Sequence, residues 1–199
     1  MADRIVLNTI SYHGHGAIEN IVPELTARGY KKAFVCSDPD LIKFGVTGKI
    51  TALLDAASFP YAVYSEIKPN PTIQNVQDGV AAFKAAEADC IVTIGGGSSM
   101  DCAKGVGARL ARPNKSLAKM EGILHVMHKL PLLIAVPTTA GTGSETTLAA
   151  VITDADTHHK YAINDFSLIP HYAVLEPEVT VGLPAQLTAT TGMDALTHA

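Results

Sequence analysis

The clearest indication of the fold lies between Asp89 and Ala111, in DCIVTIGGGSSMDCAKGVGARLA. It opens with a short run of apolar residues, which is typical of a buried strand. Three glycines follow at positions 95–97, and the remaining residues predict a helix. A strand that passes through a glycine turn directly into a helix is the repeating unit of a parallel α/β sheet.

The same alternation of strand and helix extends outward from this stretch in both directions. On its N-terminal side, residues 33–38 (AFVCSD) and 61–67 (YAVYSEI) read as strands, and residues 41–57 place apolar side chains on one helical face. The prolines of KPNP at 68–71 break the chain, and Thr72 is suited to cap the helix that follows. These alternations predict a Rossmann-like parallel sheet flanked by helices.

On the C-terminal side, LPLLIAVPTTAGTGSETT at 130–147 repeats the plan, with a helix predicted to start at Ser144. From Val151 the pattern changes to short strands, which we expect to be antiparallel additions to the sheet. A last helix is predicted after Gly182. We therefore divide the chain into an α/β domain at 1–182 and the first helix of a second, helical domain at 183–199.

Composition excludes several classes of protein. Hydrophobic residues make up 47% of the 199 residues and the formal net charge is −4, which is not the basic surface that binding to nucleic acid requires. No apolar run has the length of about 20 residues that spans a bilayer. The N-terminus lacks the features of a signal peptide, and the three cysteines form no paired framework. We expect a cytoplasmic protein with reduced thiols.

The glycine turn has a chemical use as well as a structural one. Glycines let backbone N–H groups approach a phosphate closely, and a helix N-terminus carries a partial positive charge that favours an anion. Ser98 adds a hydroxyl donor, and Asp101 lies in the first turn of the helix. A plain structural turn remains the alternative for this motif alone.

A second loop of the same kind follows the strand near residue 135. Its hydroxyls, on Thr138, Thr139, Thr142 and Ser144, are too many for a simple turn of this length. Because the carboxyl ends of parallel strands lie at one edge of a sheet, both loops are expected to line one groove. Such a groove suits an extended polar ligand, such as a dinucleotide.

Two acidic residues each have a functional and a structural interpretation. Asp38 ends a predicted strand, where a carboxylate binds the hydroxyls of an adenosine ribose and repels a 2′-phosphate; the alternative is a helix N-cap. Asp194 and His198 lie four positions apart on one helical face, a spacing that suits Fe²⁺, Zn²⁺ or Mn²⁺. The alternative for this second pair is an exposed Asp/His pair on a helix.

These motifs together resemble the iron-dependent (group III) alcohol dehydrogenase family. The resemblance runs through GHGAI, VCSD, KPNPTI, IGGGSSMDCAKG, PTTAGTGSETT, VITD and ATTGMDALTHA, in that order along the chain. It implies an NAD-binding α/β domain followed by an all-helical domain, with metal and substrate between them. The implied reaction is reversible hydride transfer between NAD(H) and a small alcohol or aldehyde.

The resemblance also assigns residues by position. Asp38 would bind the adenosine ribose and favour NAD over NADP. Asp194 and His198 would be the first two of four protein ligands to a divalent metal, Fe²⁺ or alternatively Zn²⁺. The remaining residues implied in cofactor binding are Asn70, Gly96, Gly97, Ser98, Ser99, Asp101, Thr138, Thr139, Thr142, Thr147, Val151 and Lys160.

The chain departs from the family pattern in two ways. Ser99 stands where the family usually has proline, and members of the family continue well beyond this length. We therefore expect the chain to bind NAD weakly and to have negligible turnover alone. A homodimer through the segment at 4–10 (RIVLNTI) is a further expectation. The alternatives are a glycerol dehydrogenase-like or dehydroquinate synthase-like relative, a non-catalytic nucleotide-binding fragment, and a kinase-like phosphate-binding domain.

Overall fold

A computed structural model describes residues 6–198, although the side chain of His198 lies outside that description. The strands within this range are β1 (Ile10–His13), β2 (Ala33–Cys36), β3 (Tyr61–Tyr64), β4 (Cys90–Gly95), β5 (Gly122–Ile123), β6 (Leu132–Pro137), β7 (Ala149–Thr153), β8 (Lys160–Asn164) and β9 (Tyr172–Leu175). The α-helices are α1 (Ile21–Ala27), α2 (Pro39–Lys43), α3 (Val46–Ala56), α4 (Ile73–Ala85), α5 (Gly97–Ala111) and α6 (Ala185–His198).

Six of these strands form one parallel sheet, which confirms the predicted α/β fold. Their order across the sheet is β1-β9-β6-β4-β2-β3. Strand β4 lies inside the sheet, paired with β2 on one side and with β6 on the other. All six residues of β4 are buried, as expected for a strand covered by helices on both faces. The glycine turn that follows β4 therefore lies at the middle of the carboxyl edge of the sheet.

The two faces of the sheet carry separate hydrophobic clusters. Because successive side chains of a strand point to opposite faces, Phe34 of β2 joins one cluster and Val35 joins the other. Helices α4 and α5 cover the first face, whereas α1 and α3 cover the second. Because α5 is packed against the first face, its position is fixed, and so is that of the glycine turn from which it starts.

The C-terminal strands differ from the predicted arrangement. Strand β9 is not an antiparallel addition: it lies parallel to both of its neighbours, and Tyr172 is in register with Ile10 of β1 and Ile134 of β6. Three of the four residues of β9 are buried, so the strand needs a partner on each side and a helix layer on each face. The prediction of an antiparallel strand here was wrong.

Strands β7 and β8 are antiparallel, as predicted, but they do not extend the main sheet. They form a hairpin, with Val151 opposite Ala162, in a separate three-stranded sheet of order β5-β8-β7. The turn between them spans only residues 154–159, and so short a connection permits only antiparallel pairing. This small sheet packs against α5 and brings β7 and β8 to the glycine turn.

Two helix boundaries also differ from the prediction. The helix expected over 41–57 is divided into α2 and α3 by Gly45, whose φ of +75° lies in the left-handed region. No helix starts at Ser144; residues 144–146 form a turn instead. The hydroxyl of Ser144 does not cap a helix because it donates to Asp101 at 2.9 Å.

Helix α6 follows Pro184 as predicted, and the N–H of Thr188 donates to the carbonyl of Pro184. The helix contacts the loop after β6 closely: a Cβ atom on Gly141 would lie 2.5 Å from the carbonyl oxygen of Thr191. None of its described side chains is buried. Among the described helices, α6 included, none has the length and apolar character needed to cross a membrane.

Candidate functional site

A groove of about 560 Å³ opens at the carboxyl edge of the main sheet, beside the start of α5. Open α/β sheets bind their ligands at this edge. The groove brings together segments that are distant in sequence: the KPNP turn, the glycine turn, the loop after β6, the hairpin β7–β8, and α6. It is lined by Asn70, Pro71, Gly97, Ser98, Asp101, Thr142, Ser144, Thr147, Ala149, Val151, Lys160 and Asp194.

The glycine turn forms the floor of this groove. Gly95 ends β4, and a Cβ atom there would lie 2.4 Å from the hydroxyl oxygen of Ser99, so no other residue fits. A Cβ atom on Gly97 would lie 3.2 Å from Thr142. The first N–H groups of α5 have no partner inside their own helix, because helical pairing begins only after the first turn. They are the groups that bind phosphate in comparable turns.

The loop after β6 forms one wall of the groove. It starts directly beside the glycine turn, since the N–H of buried Thr138 donates to the carbonyl of Gly95 at 3.0 Å. The hydroxyl oxygen of Thr139 is buried and finds no hydrogen-bond partner within the described residues. It lies 3.5 Å from the position of a Cβ atom on Gly96. A buried hydroxyl left unpaired beside a bare glycine fits a ligand oxygen at this point.

Asp101 is the fifth residue of α5 and lies in its second turn, not in the first turn as the sequence predicted, because α5 already starts at Gly97. Two hydrogen bonds hold its carboxylate. Its Oδ1 accepts from the hydroxyl of Ser144 at 2.9 Å, and its Oδ2 accepts from the N–H of Val151 at 3.1 Å. Burial raises the pKa of Asp101, while nearby Lys104 acts in the opposite direction. The carboxylate thereby ties α5 to the loop wall and to β7.

Lys104 is the strongest feature that sequence reasoning missed. It is fully buried one turn beyond Asp101, and burial lowers its pKa to about 8 against the opposing effect of Asp101. A lysine is almost never fully buried unless it is paired. The spacing of Asp101 and Lys104, three residues apart in a helix, was the available signal, because it places both on one face.

The opposite rim of the groove is closed by Asn70 and Lys160. The ammonium group of Lys160 donates to the side-chain oxygen of Asn70 at 2.8 Å. Asn70 has a φ of +54°, and its N–H donates to the hydroxyl of Ser98 at 3.3 Å. A left-handed backbone is uncommon for residues other than glycine, and asparagine is among those that tolerate it best. The KPNP turn is thereby held against the glycine turn.

Asp38 lies beside the groove and does not line it. Its Oδ1 accepts from the N–H of Leu41 at 2.9 Å, so Asp38 is the N-cap of α2. The predicted alternative of a helix cap is therefore confirmed, and binding of a ribose stays a prediction. Its other oxygen accepts from the hydroxyl of Ser99 at 3.4 Å. Buried Ser99 thus contacts Asp38 and does not face the groove.

The proposed metal ligands lie at the end of the groove that α6 forms. Asp194 lines the groove, and His198 follows one turn later on the same helix. The side chain of His198 lies outside the described part of the structure. Among the residues that the structure does describe, no group of three or more His, Cys, Asp or Glu side chains is placed to hold a metal ion.

The groove gathers most of the residues that the sequence singled out. Those that line it are Asn70, Gly97, Ser98, Asp101, Thr142, Thr147, Val151, Lys160 and Asp194. Those that lie behind or beside it are Asp38, Gly96, Ser99, Thr138 and Thr139. Pro71 and Ala149 line it without having been predicted, since they contribute mainly backbone and carry no chemical signal.

Known proteins share this architecture. Lactaldehyde reductase of Escherichia coli K12 is 38% identical over 200 residues, which are 100% of this chain and 52% of that protein. A crystal structure of 1,3-propanediol oxidoreductase superposes with a TM-score of 0.94 at 36% identity, covering 100% of this chain and 52% of the other. Sulfoacetaldehyde reductase from Bifidobacterium kashiwanohense, solved in complex with NAD⁺, gives 0.85 at 28% identity, covering 98% and 51%.

The chain thus spans about half the length of the relatives that it matches. The sequence model described as iron-containing alcohol dehydrogenase matches residues 8–177, from just before β1 to just after β9. That range includes the glycine turn, the threonine-rich loop and the hairpin β7–β8. The chain belongs to the iron-containing alcohol dehydrogenase family.

Proposed function

We propose that this chain is the cofactor-binding half of an NAD-dependent, metal-dependent alcohol dehydrogenase of the lactaldehyde reductase type. The reaction is reversible hydride transfer between NAD(H) and a small alcohol or aldehyde. One observation carries the proposal: the glycine turn, the threonine-rich loop and the Asn70–Lys160 rim converge on a single groove at the carboxyl edge of the sheet. The NAD⁺ complex of the related sulfoacetaldehyde reductase supports the choice of cofactor.

The chain's own residues divide the work of holding a dinucleotide. The N–H groups at the start of α5 and the hydroxyl of Ser98 bind the pyrophosphate. Asp38 binds the adenosine ribose and disfavours NADP, because its carboxylate repels a 2′-phosphate. The Lys160 ammonium, held by Asn70, lines the same groove as Asp194. Bound NAD supplies the hydride chemistry.

We assign Asp194 and His198 as metal ligands, with Fe²⁺ as the ion and Zn²⁺ as the alternative. A carboxylate and an imidazole suit either ion. The described residues do not complete a coordination sphere by themselves. We therefore expect negligible turnover from this chain alone. Oxidation of NADH with a small aldehyde and added Fe²⁺ tests this expectation, and metal-dependent multiple turnover would contradict it.

Titration of NADH fluorescence tests the groove directly. The wild-type chain is expected to enhance the fluorescence of NADH, and Gly97→Val is expected to abolish the effect because its side chain would meet Thr142. Gly48→Ala is the matched control, since a Cβ atom there meets nothing within 4 Å. Equal binding by wild type and Gly97→Val would show that the glycine turn is not the site.

A nucleotide-binding or kinase-like function is the second candidate, because a glycine turn at a helix N-terminus binds any phosphate chain. Competition with ATP separates the two candidates. We expect ATP to displace NADH only weakly, since ATP has no second nucleoside to reach the Asn70–Lys160 rim. Displacement by ATP at concentrations below those of NADH would favour the second candidate.

We also propose a homodimer, located in the cytoplasm. Strand β1 is at one edge of the main sheet, and an unpaired edge can pair with another chain. Residues 4–5 of the predicted N-terminal strand lie outside the described range, and residues 6–9 are not in a strand. The three free, buried cysteines suit a reducing compartment. Sedimentation equilibrium tests the dimer, and a monomeric mass at all concentrations would refute it.

A further inference from the structure

Lys104 ties three parts of the groove together from inside the protein. Its ammonium group donates to the hydroxyl of Ser144 at 3.1 Å, to the hydroxyl of Thr147 at 3.1 Å and to the carbonyl of Thr147 at 3.0 Å. A fourth contact, at 2.8 Å, reaches the carbonyl of Ala149, the first residue of β7. The side chain is 0% exposed. One cation on α5 therefore fixes the loop wall and the start of β7.

The same cation faces the carboxylate of Asp101 through a shared hydroxyl. Ser144 donates to Asp101 and accepts from Lys104, so the three side chains form a continuous chain of hydrogen bonds. Asp101 lines the groove at the start of the second turn of α5, directly after the residues whose N–H groups would bind a phosphate. An isolated carboxylate at that position would repel the phosphates of a ligand, because charges interact strongly in a partly buried groove.

We propose that Lys104 is a positioning residue whose positive charge balances the negative charge of Asp101. A diphosphate can then bind at the N-terminus of α5 without being repelled by Asp101. The inference rests on the proposed binding of NAD. It assigns two effects to one residue: the three N–H donors of its ammonium group, shared among four acceptors, hold the groove wall, and its charge removes the repulsion that Asp101 would create. The second effect distinguishes the proposal from a purely structural role.

The charge effect has a consequence for pH. Burial lowers the pKa of Lys104 to about 8. The other charged groups that act on this pair are Glu145 of the loop, which favours the protonated lysine, and Lys160 of β8, which favours the ionised Asp101. As the pH rises through 8, Lys104 loses its proton and the groove keeps the negative charge of Asp101 uncompensated. Binding of a diphosphate weakens, whereas binding of an uncharged nucleoside does not.

Calorimetric titration of the wild-type chain with NADH and with adenosine tests this consequence without any substitution. Between about pH 7 and about pH 9.5, we expect NADH to bind about tenfold more weakly, and adenosine to change less than about twofold. The charge of NADH itself does not change over this range. A pH-independent affinity for NADH, or equal weakening of both ligands, would overturn the proposal.

Substitutions test whether the change in NADH affinity arises from the charges of Lys104 and Asp101. Lys104→Met is expected to bind NADH about tenfold more weakly at neutral pH, with no further loss at high pH and little change for adenosine. The double variant Asp101→Asn with Lys104→Met is expected to regain most of the affinity, because the groove is neutral again. Lys84→Met, which removes an exposed lysine from α4, is the matched control.

The outcomes distinguish the proposed charge effect from a purely structural role of Lys104. If Lys104→Met loses NADH and adenosine equally, or if the double variant regains nothing, the role of Lys104 is structural and the proposal is wrong. If Lys104→Met does not fold, the wild-type pH titration decides alone. If the wild-type chain binds adenosine and NADH at no pH, the proposed NAD-binding function fails, and the inference fails with it.

Discussion

Helices α5 and α6 are nearly equal in length and differ almost completely in their surroundings. Nine of the 15 residues of α5 are buried, between the sheet, α4 and the small sheet. In α6, by contrast, Leu187, Met193 and Leu196 are all exposed, at 49%, 60% and 68%. One wall of the groove is therefore packed into the core, and the other wall makes few packing contacts. Asp101 and Lys104 lie on the first, and Asp194 lies on the second.

A matched pair of methionines gives the largest expected contrast. Met100 of α5 is 0% exposed, whereas Met193 of α6 is 60% exposed. Met100→Ala is expected to lower the free energy of unfolding by about 3 kcal/mol, because it leaves a cavity in a packed core. Met193→Ala is expected to change it by less than about 0.5 kcal/mol. Urea denaturation measures both free energies of unfolding. Similar losses for the two variants would contradict the difference in packing between α5 and α6.

Lys104 gives the second contrast. Helix α5 buries its charged ammonium group, and this burial lowers the free energy of unfolding while the lysine is protonated. Its pKa is about 8 in the folded protein against an ordinary value of 10.5, so the folded state binds fewer protons than the unfolded state between these values. The contribution of Lys104 to the free energy of unfolding therefore rises with pH in this window. We expect the wild type to gain about 2 kcal/mol relative to Lys104→Met from about pH 8 to about pH 10.

Urea denaturation of both proteins across this range measures the gain. Subtracting the curve of Lys104→Met removes the contributions of tyrosines and cysteines, whose pKa values are raised by burial. Lys84→Met, treated in the same way, should give a flat difference. A constant difference between wild type and Lys104→Met would show that Lys104 titrates in its ordinary range.

Glycines give a third and smaller contrast. A Cβ atom on Gly105 of α5 would lie 2.8 Å from Val76 of α4, whereas one on Gly192 of α6 meets nothing within 4 Å. Gly105→Ala is expected to destabilise the protein by about 1 kcal/mol, since overpacking outweighs the gain in helix propensity. Gly192→Ala is expected to stabilise α6 by up to about 1 kcal/mol. The same sign for both substitutions in thermal denaturation would contradict this account.

The contact between α6 and the threonine-rich loop gives the smallest expected effect. A Cβ atom on Gly141 would lie 2.5 Å from the carbonyl oxygen of Thr191. Gly141→Ala is therefore expected to displace α6 while changing the global free energy of unfolding by less than about 0.5 kcal/mol. Hydrogen exchange should show faster exchange of the α6 amides only. Unchanged exchange in α6 would mean that this contact does not hold the helix.

The sequence predicted the local elements well where the pattern was continuous. The run at 89–94, followed by three glycines, predicted β4 and the start of α5, and Thr72 predicted the start of α4, where it forms a capping box with Asn75. Turn and cap residues act on their immediate neighbours, so their effect can be read locally. The two loops predicted to share a groove do share one.

Predictions from the sequence were wrong or incomplete where a side chain binds a residue that is distant in the sequence. Ser144 is a good residue for starting a helix, but its hydroxyl is taken by Asp101, which is 43 positions away. Lys104 has the charge of a surface residue, and its spacing from Asp101 is the only feature of the sequence that indicates a buried pair. Asp38 had two interpretations: the hydrogen bond from the N–H of Leu41 confirms the helix cap, and ribose binding stays a prediction.

The alternation of strand and helix, the glycine turn and the residues that could bind a phosphate are all readable from the sequence, because they follow from the periodicity and conformational freedom of neighbouring residues. Two features emerge only in the folded chain: β9 pairs in parallel between β1 and β6, and Lys104 is buried beside Asp101 and the loop wall. Strand partners and buried charges depend on which surfaces remain to be covered after the chain has collapsed. That choice is made by contacts between residues far apart in sequence.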